Sequence, residues 1–567
     1  MKKLFFLLGL SVSLASQAQT LDWAKKFGGS KDDRGQTVLT DLAGNVYSMG
    51  SFMDTVDFDP GIGEYELGTV SGDYSTSDIY ISKLDASGNF LWAKRIGNEG
   101  LQVARSMTID AAGNLILCGR LRGTADFDPG AGVQMLTATD NGDVFVCKLS
   151  ADGALIWVKQ FGGTDKDYGF DAKTDAAGNI IVVGQFMGTA DFDPGSGITA
   201  FTAVGIRDLF ISKLTANGDF IWARKMGGSL DNNVWQLELD GNIYTTGMFA
   251  GTGDFNPGAG TATLTSGSGL NDIYISKLTT DGDYVWAKNF AGTAGYMAAR
   301  AMAIDEHMNV YTAGYFDGTT DFDPSTEVFN MTPVGAEEYD GFICKLDAGG
   351  NFVWAKQIGG AEEEIILGMV PDRFGNLYTT GAFYGTCDFD PGVGTHTLTS
   401  FGADDIFISK YTSEGMFLGV VQMGGTFSDN GNDISVDVDN KAYITGFFNK
   451  TADFDPSAGV FNITGDPNDY EAFVVKLTTP LDIAGLTEKQ AFSFEVYPNP
   501  NAGVFVVNSE QPVAVKLMNM NGQAILEQHM IAGSNTMQIQ NVTAGIYLIH
   551  ATAANGSTSV QRISIVK

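Results

Sequence analysis

The chain has 567 residues and carries 67 Asp and Glu against 34 Lys and Arg, a formal net charge of −33 at pH 7. Such an acidic chain lacks the basic surface that nucleic-acid binding needs, and it favours solubility, cations or basic partners. Its four Cys are too few for a disulfide scaffold, and their spacings match no zinc pattern. Composition therefore excludes a nucleic-acid-binding protein and a small disulfide-rich fold.

Residues 1–18 have the three parts of a secretory signal peptide. Lys2 and Lys3 precede an apolar run that ends near Leu14, and Ser16-Gln17-Ala18 is a small-residue cleavage site. We expect Gln19 to be the first residue after cleavage, and no Cys follows that would indicate a lipid anchor. No later apolar run is long enough to span a bilayer. The sequence therefore predicts export and no transmembrane segment.

A repeat of 64 to 69 residues follows, marked by Trp at 23, 92, 157, 222, 286 and 354 and by Gly419 at the seventh place. A fixed period of this size indicates a repeat architecture. Within each unit, hairpin turns of the type Asp-x-x-Gly-Asn separate short apolar runs, which we label strands a, b, c and d. Seven four-stranded meanders predict an all-β fold, a seven-bladed β-propeller over residues 19–478.

The first strand of the chain belongs to the last blade of this prediction. The seventh unit has no Trp strand after Leu477, whereas the chain begins with one at Leu21–Gly29. That segment would supply the missing strand d, close the ring and cover an open sheet edge. An open solenoid is the alternative. We expect the propeller to be a monomer.

The repeats resemble the family of seven-bladed propeller repeats of secreted bacterial proteins (SBBP-like repeats). The matching segments are of the type WAKQIGG, DAAGNIIVVG and DIYISKL. The resemblance covers most of the chain and is specific for fold. It indicates little about function, because propellers have many unrelated activities.

An insert, Asp-Phe-Asp-Pro, lies between strands b and c of every unit. Its acids are Asp57, Asp59, Asp126, Asp128, Asp191, Asp193, Asp254, Asp321, Asp323, Asp388, Asp390, Asp453 and Asp455, with Asn256 in the remaining place. In one interpretation the carboxylates accept hydrogen bonds from turn amides while the Phe packs between blades. In the other, each pair binds Ca²⁺, although the loop lacks the third Asp and the distal Glu of an EF-hand. Recurrence in every unit favours the structural interpretation.

In a meander, the b–c and d–a loops emerge at the same end, so we predict one strongly acidic face. The residues expected to contact a ligand there are Asp32, Asp33, Asp165, Asp167, Tyr168, Glu362, Glu363 and Glu364. The ligand would be a surface glycan or a protein. The alternative is that these are ordinary solvated loops.

Catalytic motifs are lacking in the sequence. The repeats contain only His307 and His396, and neither has the context of a known catalytic triad or zinc motif. A glycosidase needs one asymmetric pair of carboxylates, whereas these pairs recur in every unit. We therefore predict a binding or scaffold module, with a secreted polysaccharide hydrolase or lyase as the alternative. Unlike ionisable residues at the channel mouth would favour the enzyme, and a repeated acidic ring would favour binding or metal.

Residues 479–493 read as a linker, and residues 494–567 as a small β-sandwich. This end resembles the type A C-terminal sorting domain of the type IX secretion system of Bacteroidetes-type bacteria. The residues that carry the resemblance are Tyr497, Pro498, Asn499, Pro500, Gly522, Gly545 and Tyr547. The resemblance implies recognition of residues 494–567 by the secretion machinery, after passage through the periplasm, and delivery to the cell surface or the medium.

Cys118 and Cys147 fall in strands b and c of one unit, where they could lie close together. We expect free buried thiols, with a disulfide as the alternative because adjacent strands often miss disulfide geometry.

Overall fold

A computed structural model describes residues 20–69, 77–139, 141–267, 271–293, 295–335, 338–478, 494–497, 503–509, 511–519, 524–539, 545–553 and 558–565. The chain divides into a repeat domain, residues 17–481, and a C-terminal domain that begins at residue 482. The predicted signal peptide and linker lie outside the described residues. The described residues contain no helix with the length and apolar character needed to cross a membrane.

The repeat domain contains four long strands per unit. Strands a are Arg34–Thr40, the second half of Phe90–Ile109, Tyr168–Thr174, Asn232–Leu239, Met297–Ile304, Glu364–Pro371 and Asn430–Val436. Strands b are Val46–Phe52, Leu115–Asp126, Ile180–Phe186, Asn242–Ala250, Val310–Phe316, Leu377–Phe383 and Ala442–Asn449. Strands c are Asp78–Leu84, Asp143–Leu149, Asp208–Leu214, Asn271–Thr279, Asp340–Leu346, Asp405–Tyr411 and Tyr470–Leu477. Strands d are the first half of Phe90–Ile109, Leu155–Gly163, Phe220–Gly228, Tyr284–Gly292, Phe352–Gly360, Phe417–Gly425 and Leu21–Phe27.

These strands pair antiparallel in the order a–b–c–d within each unit of the described repeat domain. In the last unit, strand d is the N-terminal strand Leu21–Phe27. It pairs with the C-terminal strand of the repeats, with Trp23 opposite Lys476 and Phe27 opposite Ala472. Strand a of the first unit also lies beside strand a of the last, where Asn432 Nδ2 donates to the Gly35 carbonyl at 2.7 Å.

A short hairpin stands between strands b and c of each unit. Its two arms are Thr55–Asp57 with Glu66–Gly68, the end of Leu115–Asp126 with Met135–Thr137, Thr189–Asp191 with Ala200–Thr202, Thr252–Asp254 with Thr263–Thr265, Thr320–Asp321 with Asn330–Met331, Thr386–Asp388 with Thr397–Thr399, and Thr451–Asp453 with Asn462–Thr464. The Asp-Phe-Asp-Pro segment begins at the end of the first arm.

Both faces of the central strands are buried, which explains their almost continuous apolar sequence. All seven residues of Asp78–Leu84 and of Ile180–Phe186 are buried. The cores lie between neighbouring sheets. Phe27 from the last unit, for example, packs with Phe58 and Tyr80 of the first, with ring centroids 5.7 and 6.1 Å apart. Successive side chains of a central strand therefore pack alternately against the preceding and the following sheet.

The Asp-x-x-Gly-Asn turns connect strands a and b as the sequence predicts. Asp41 Oδ1 accepts hydrogen bonds from the amides of Ala43 and Asn45, both at 2.9 Å. Gly44 has φ +79°, a left-handed conformation that favours glycine. A single carboxylate thus fixes each turn.

The four cysteines are buried free thiols. Cys118 stands opposite Val146, and Cys147 stands opposite Leu117, so the two cysteines are one position out of register. Because side chains alternate across a strand, the two sulfurs point to opposite faces of the sheet. The alternative of a Cys118–Cys147 disulfide is therefore wrong.

The C-terminal domain contains two antiparallel sheets in its described part. One contains Phe494–Tyr497, Val504–Ser509 and Gly533–Gln538, and the other contains Ala524–Met530, Val513–Asn519, Gly545–Ala553 and Thr558–Ile565. Residues from both sheets share one core, including Phe505, Met537, Leu517 and Ile549. Two sheets around one core form a small β-sandwich.

Candidate functional site

The first acid of each Asp-Phe-Asp-Pro segment ties its own hairpin together. Asp191 Oδ1 accepts hydrogen bonds from the amides of Asp193 and Thr199 at 3.1 and 2.8 Å. Asp193 Oδ1 in turn accepts from the Gly195 amide at 2.8 Å. The first acid makes the same two bonds at Asp57, Asp126, Asp254, Asp321, Asp388 and Asp453.

The hairpin also attaches to the preceding unit. Asp191 pairs with Gly162 at the end of the previous strand d, and Asp57 forms the equivalent bridge to Gly28 of the N-terminal strand. Phe192 points into the interface and is fully buried. So are the other insert rings, Phe58, Phe127, Phe255, Phe322, Phe389 and Phe454. The insert therefore links each unit to the preceding one.

The described residues contain no group of three or more His, Cys, Asp or Glu side chains placed to hold a metal ion. Six of the seven inserts bring two carboxylates together, and both carboxylates use an oxygen to accept backbone amides; in the fourth insert Asn256 takes the place of the second acid. This hydrogen bonding agrees with the structural interpretation of the acid pairs. Calcium binding at these pairs stays a prediction.

Three of the predicted ligand-contacting acids lie inside the protein. Asp33, Asp167 and Glu364 are 1%, 0% and 1% exposed. The Asp33 carboxylate accepts hydrogen bonds from the amides of Gly29 and Met53 at 2.8 and 3.0 Å, and Asp167 makes the equivalent pair of bonds. These acids hold the d–a loops, and their burial does not fit the contact with a surface ligand that the sequence suggested.

A second buried acid, from strand c, lies beside each of these three and beside Asp429, the equivalent acid before strand a of the last unit. The pairs are Asp33 with Glu471, Asp143 with Asp167, Asp340 with Glu364, and Asp405 with Asp429. Burial, with a smaller contribution from the neighbouring carboxylate, raises the pKa of Asp167 to about 7, that of Asp429 to about 8 and that of Glu364 to about 9. Buried acids with such pKa values retain protons near neutral pH.

The other predicted ligand-face residues are at least partly exposed. Asp165 is exposed, while Asp32, Tyr168, Glu362 and Glu363 are half-buried. The Tyr168 ring is covered by Arg120, whose guanidinium carbon lies 4.4 Å from the ring centroid. That these five residues contact a ligand stays a prediction. Basic side chains such as Arg120 also lie among them.

A β-bulge occurs at the same place in every strand a and points one extra residue into a cavity of about 250 Å³. These seven bulge residues are Gln36, Arg105, Phe170, Trp235, Arg300, Leu367 and Asn432. A bulge leaves its extra residue out of the strand pairing and redirects the side chain, and bulges are common beside binding sites. The backbone repeats around the cavity, but the side chains differ.

Side chains of opposite charge also line this cavity. Lys173 Nζ lies 2.9 Å from Glu238 Oε1. Ser106 Oγ donates to Asp171 Oδ1 at 2.5 Å, and the Leu237 amide donates to Asp171 Oδ2 at 3.0 Å. This polar cluster joins side chains from three consecutive units.

Asp433 is a further acid in this cavity. It accepts a hydrogen bond from the Val38 amide at 3.0 Å, which links the last unit to the first. Burial raises the pKa of Asp433 to about 7, and the nearby charge of Lys173 opposes that rise. A carboxyl with this pKa can exchange protons near neutral pH.

The bulge residues were not among the residues that the sequence motifs indicated. A bulge has no residue-type signature, and strand a shows an ordinary strand pattern. A signal was nevertheless present, because six of the seven residues lie eight positions after the first residue of the Gly-Gly pair or its equivalent, such as Gly162 for Phe170 and Gly227 for Trp235. That position changes in chemistry from unit to unit while its neighbours repeat.

The sorting-motif residues are only partly described. Tyr497 is exposed at the end of its strand, Gly545 begins the strand Gly545–Ala553, and Tyr547 is buried in the core. Pro498, Asn499, Pro500 and Gly522 lie outside the described residues.

Comparison with known families identifies the C-terminal domain. Residues 495–566 match the family model described as a secretion system C-terminal sorting domain. The chain therefore carries a type IX sorting signal. Such a domain directs its protein through the type IX secretion system, so the chain is exported to the cell surface or the extracellular medium.

The repeat domain has a distant curated relative. The chain is 22% identical over 510 residues to an uncharacterized WD repeat-containing protein, L264, of Acanthamoeba polyphaga mimivirus, covering 76% of this chain and 35% of the relative. The chain thus spans about a third of the length of that protein. Together with the strand order, this similarity agrees with an all-β, propeller-like repeat fold.

Several solved structures align over most of the chain but with low TM-scores. PorZ, a surface component of the type IX secretion system of Porphyromonas gingivalis, is 11% identical with a TM-score of 0.15, covering 96% of this chain and all of that one. Sqt1 from Chaetomium thermophilum is 9% identical with a TM-score of 0.36, covering 86% and 97%. At these scores the alignments carry no argument about fold or function.

Proposed function

We propose that residues 20–478 form a closed seven-bladed β-propeller. The pairing of Leu21–Phe27 with Tyr470–Leu477 supports closure, as does the hydrogen bond from the Val38 amide to Asp433 between the first and last units. The bridge between Gly28 and Asp57 adds a third link at the same junction. A closed ring makes the cavity among the bulge residues its central channel.

We propose further that the protein is a binding or scaffold module at the cell surface, with its ligand at the mouth of this channel. The observation that carries the proposal is the set of bulge residues. The same bulge recurs in each strand a, so the fold needs the backbone feature, whereas the side chains vary from Arg to Phe to Asn. Chemically varied side chains around one concave site are typical of ligand binding.

A glycan and peptide array tests this role. The full-length chain, fluorescently labelled, should bind a defined class of extracellular glycan or peptide. Trp235→Ala should reduce that binding at least tenfold, because aromatic side chains in such sites contribute much of the contact area. Ile156→Ala, which removes an exposed side chain on strand d, is the matched control. Equal binding by the Trp235 variant and the wild type would contradict the proposed site.

The route of export can be tested separately. Deletion of residues 494–567 should leave the repeat domain folded, because its described core is its own, but should trap it inside the cell envelope. Fractionation and proteolysis of intact cells measure the location. Surface delivery of the truncated chain at the wild-type level would contradict recognition through this domain.

A second candidate function is a secreted polysaccharide hydrolase or lyase that uses the same channel. The observation that favours it is the cluster of unlike ionisable groups, in which Asp433 has a pKa of about 7 beside Lys173. New reducing ends released from an extracellular polysaccharide, and lost in Asp433→Asn, would support it. Absence of turnover on substrates that the array shows to bind would leave the binding role.

A further inference from the structure

The channel wall contains hydrogen-bond donors that have no acceptor. Trp235 Nε1 is buried without a hydrogen-bond partner among the described residues. The guanidinium groups of Arg105 and Arg300 contact aromatic rings, and they make no salt bridge or hydrogen bond with any other described residue. Unpaired arginines are unexpected in a chain with 67 acids. Both guanidinium groups line the cavity without an acceptor, which points to an acceptor from outside.

Aromatic rings hold both guanidinium groups. Arg300 Cζ lies 4.0 Å from the Trp235 ring centroid, and Arg105 Cζ lies 5.9 Å from that of Phe170. The Phe170 and Trp235 rings are themselves in contact, with centroids 4.9 Å apart and planes at 76°. A guanidinium packed on a ring face keeps its N–H groups directed outward, in the fork that binds a carboxylate with two hydrogen bonds.

The charges in this wall repel one another. Burial lowers the pKa of Arg105, and the positive charges of Arg300 and Arg120 lower it further. The acids of the cavity do not relieve this repulsion by direct pairing, because Asp171 already accepts from Ser106 and Leu237. No described acid of the cavity therefore forms a direct ion pair with Arg105 or Arg300, although the protein as a whole is strongly negative.

The opposite wall is polar and uncharged at the bulge positions. It presents the amides of Gln36 and Asn432 on either side of the junction between the last and first units, next to Leu367. Amide groups both donate to and accept from hydroxyls. At about 250 Å³ the cavity lies below the roughly 300–1,000 Å³ of drug-sized sites, so it suits one small ring or a chain end.

We propose that this channel binds an acidic sugar, a uronate unit of an extracellular polysaccharide. Arg105 and Arg300, held by the rings of Phe170 and Trp235, bind its carboxylate, and Gln36 and Asn432 bind its hydroxyls. The inference rests on the proposed binding role and on the export of the chain to the outside of the cell. It deepens that role by naming the ligand chemistry.

Isothermal titration of the full-length exported chain tests it, with sodium galacturonate and trigalacturonate as probes. Galactose tests the sugar without the charge, and sodium sulfate tests the charge without the sugar. Uronate should bind and galactose should not. Arg105→Gln and Arg300→Gln should each weaken binding at least tenfold. Arg300→Lys should also weaken it, because Lys keeps the charge but not the paired donors. Arg122→Gln, an exposed arginine on strand b, should have no effect.

Each outcome bears on the proposal. If uronate binds no better than galactose or sulfate, or if the double variant Arg105→Gln/Arg300→Gln binds as the wild type does, the uronate site is wrong. Arg105 is exposed to the channel, so its variant should fold even if Arg300→Gln does not. Array binding that depends on Trp235 but not on either arginine would overturn the uronate site while leaving the broader binding role intact.

Discussion

Two sets of positions recur in every unit of the repeat domain, and they differ in how much their chemistry varies. The Asp-Phe-Asp inserts are nearly identical, and each makes the same hydrogen bonds and buries the same ring against its neighbour. The bulge residues share a backbone feature and nothing else. A side chain that is the same in every unit is one that the fold needs. A side chain that changes from unit to unit while the backbone stays the same is not determined by the fold.

The largest expected contrast compares a side chain from each set. Phe192→Ala removes a fully buried ring from an interface between units and should cost about 3–5 kcal/mol. Leu367→Ala removes a half-buried side chain that faces the cavity and should cost less than about 1 kcal/mol. Differential scanning calorimetry of the full-length chain measures both as shifts of the repeat-domain transition. Equal losses would remove the distinction between the two sets.

A smaller effect is expected for the first acid of the insert. Asp191→Ala leaves the amides of Asp193 and Thr199 without their acceptor and should cost about 1–3 kcal/mol. Asp165→Ala, an exposed acid in the preceding d–a loop, should have almost no effect. Chemical unfolding of the two variants measures the difference. If Asp191→Ala has the same free energy of unfolding as the wild type, the link that the insert makes between units does not depend on the Asp191 carboxylate.

The buried carboxyl pairs should make stability fall as the pH rises. In the folded state the pKa of Asp167 is about 7, above its unfolded value near 4, so its contribution is complete below pH 4 and is lost as the pH rises through 7. Between pH 6 and 8 the loss should be about 1 kcal/mol for this group. Asp167→Asn should flatten that part of the profile, and Asp165→Asn should not. A profile that rises from pH 6 to 8 would contradict these protonated pairs.

The smallest expected effect is that of calcium. Because the acids of the inserts already accept backbone amides, millimolar Ca²⁺ should change the melting temperature of the full-length chain little relative to EDTA. A clear rise would make the inserts metal sites, since a ligand that binds only the folded state stabilises it. Loss of that rise in Asp191→Ala/Asp193→Ala would locate the ion there.

Sequence predicted the features that repeat in residue type. The same residue types recur in each unit. This recurrence made it possible to predict the period, the turn at Asp41–Asn45, the N-terminal strand and the packing role of Phe58. Burial of the d–a acids was not visible, since a loop acid such as Asp33 looks the same whether it faces water or an amide. Its constant place four residues after Gly29, shared by Asp167 after Gly163, was the clue to a structural role.

The cavity was harder to predict because no local sequence pattern indicates it. Arg105 and Arg300 are 195 residues apart in the chain, in the second and fifth units, and line the same cavity only because the strands a surround it. A one-residue bulge then decides which side chain of strand a enters that cavity. Such a register shift depends on hydrogen bonding between strands rather than on the residue that is displaced.

The pairing of Leu21–Phe27 with Tyr470–Leu477 also has a consequence for biosynthesis. The first strand to leave the ribosome pairs with the last strand of the repeats, so it waits while about 450 residues are made. At roughly 5–20 residues per second this takes on the order of half a minute to a minute and a half. Until then the edge of strand c in the last unit has no partner, so the sheet is completed only after the last strand of the repeats has been made.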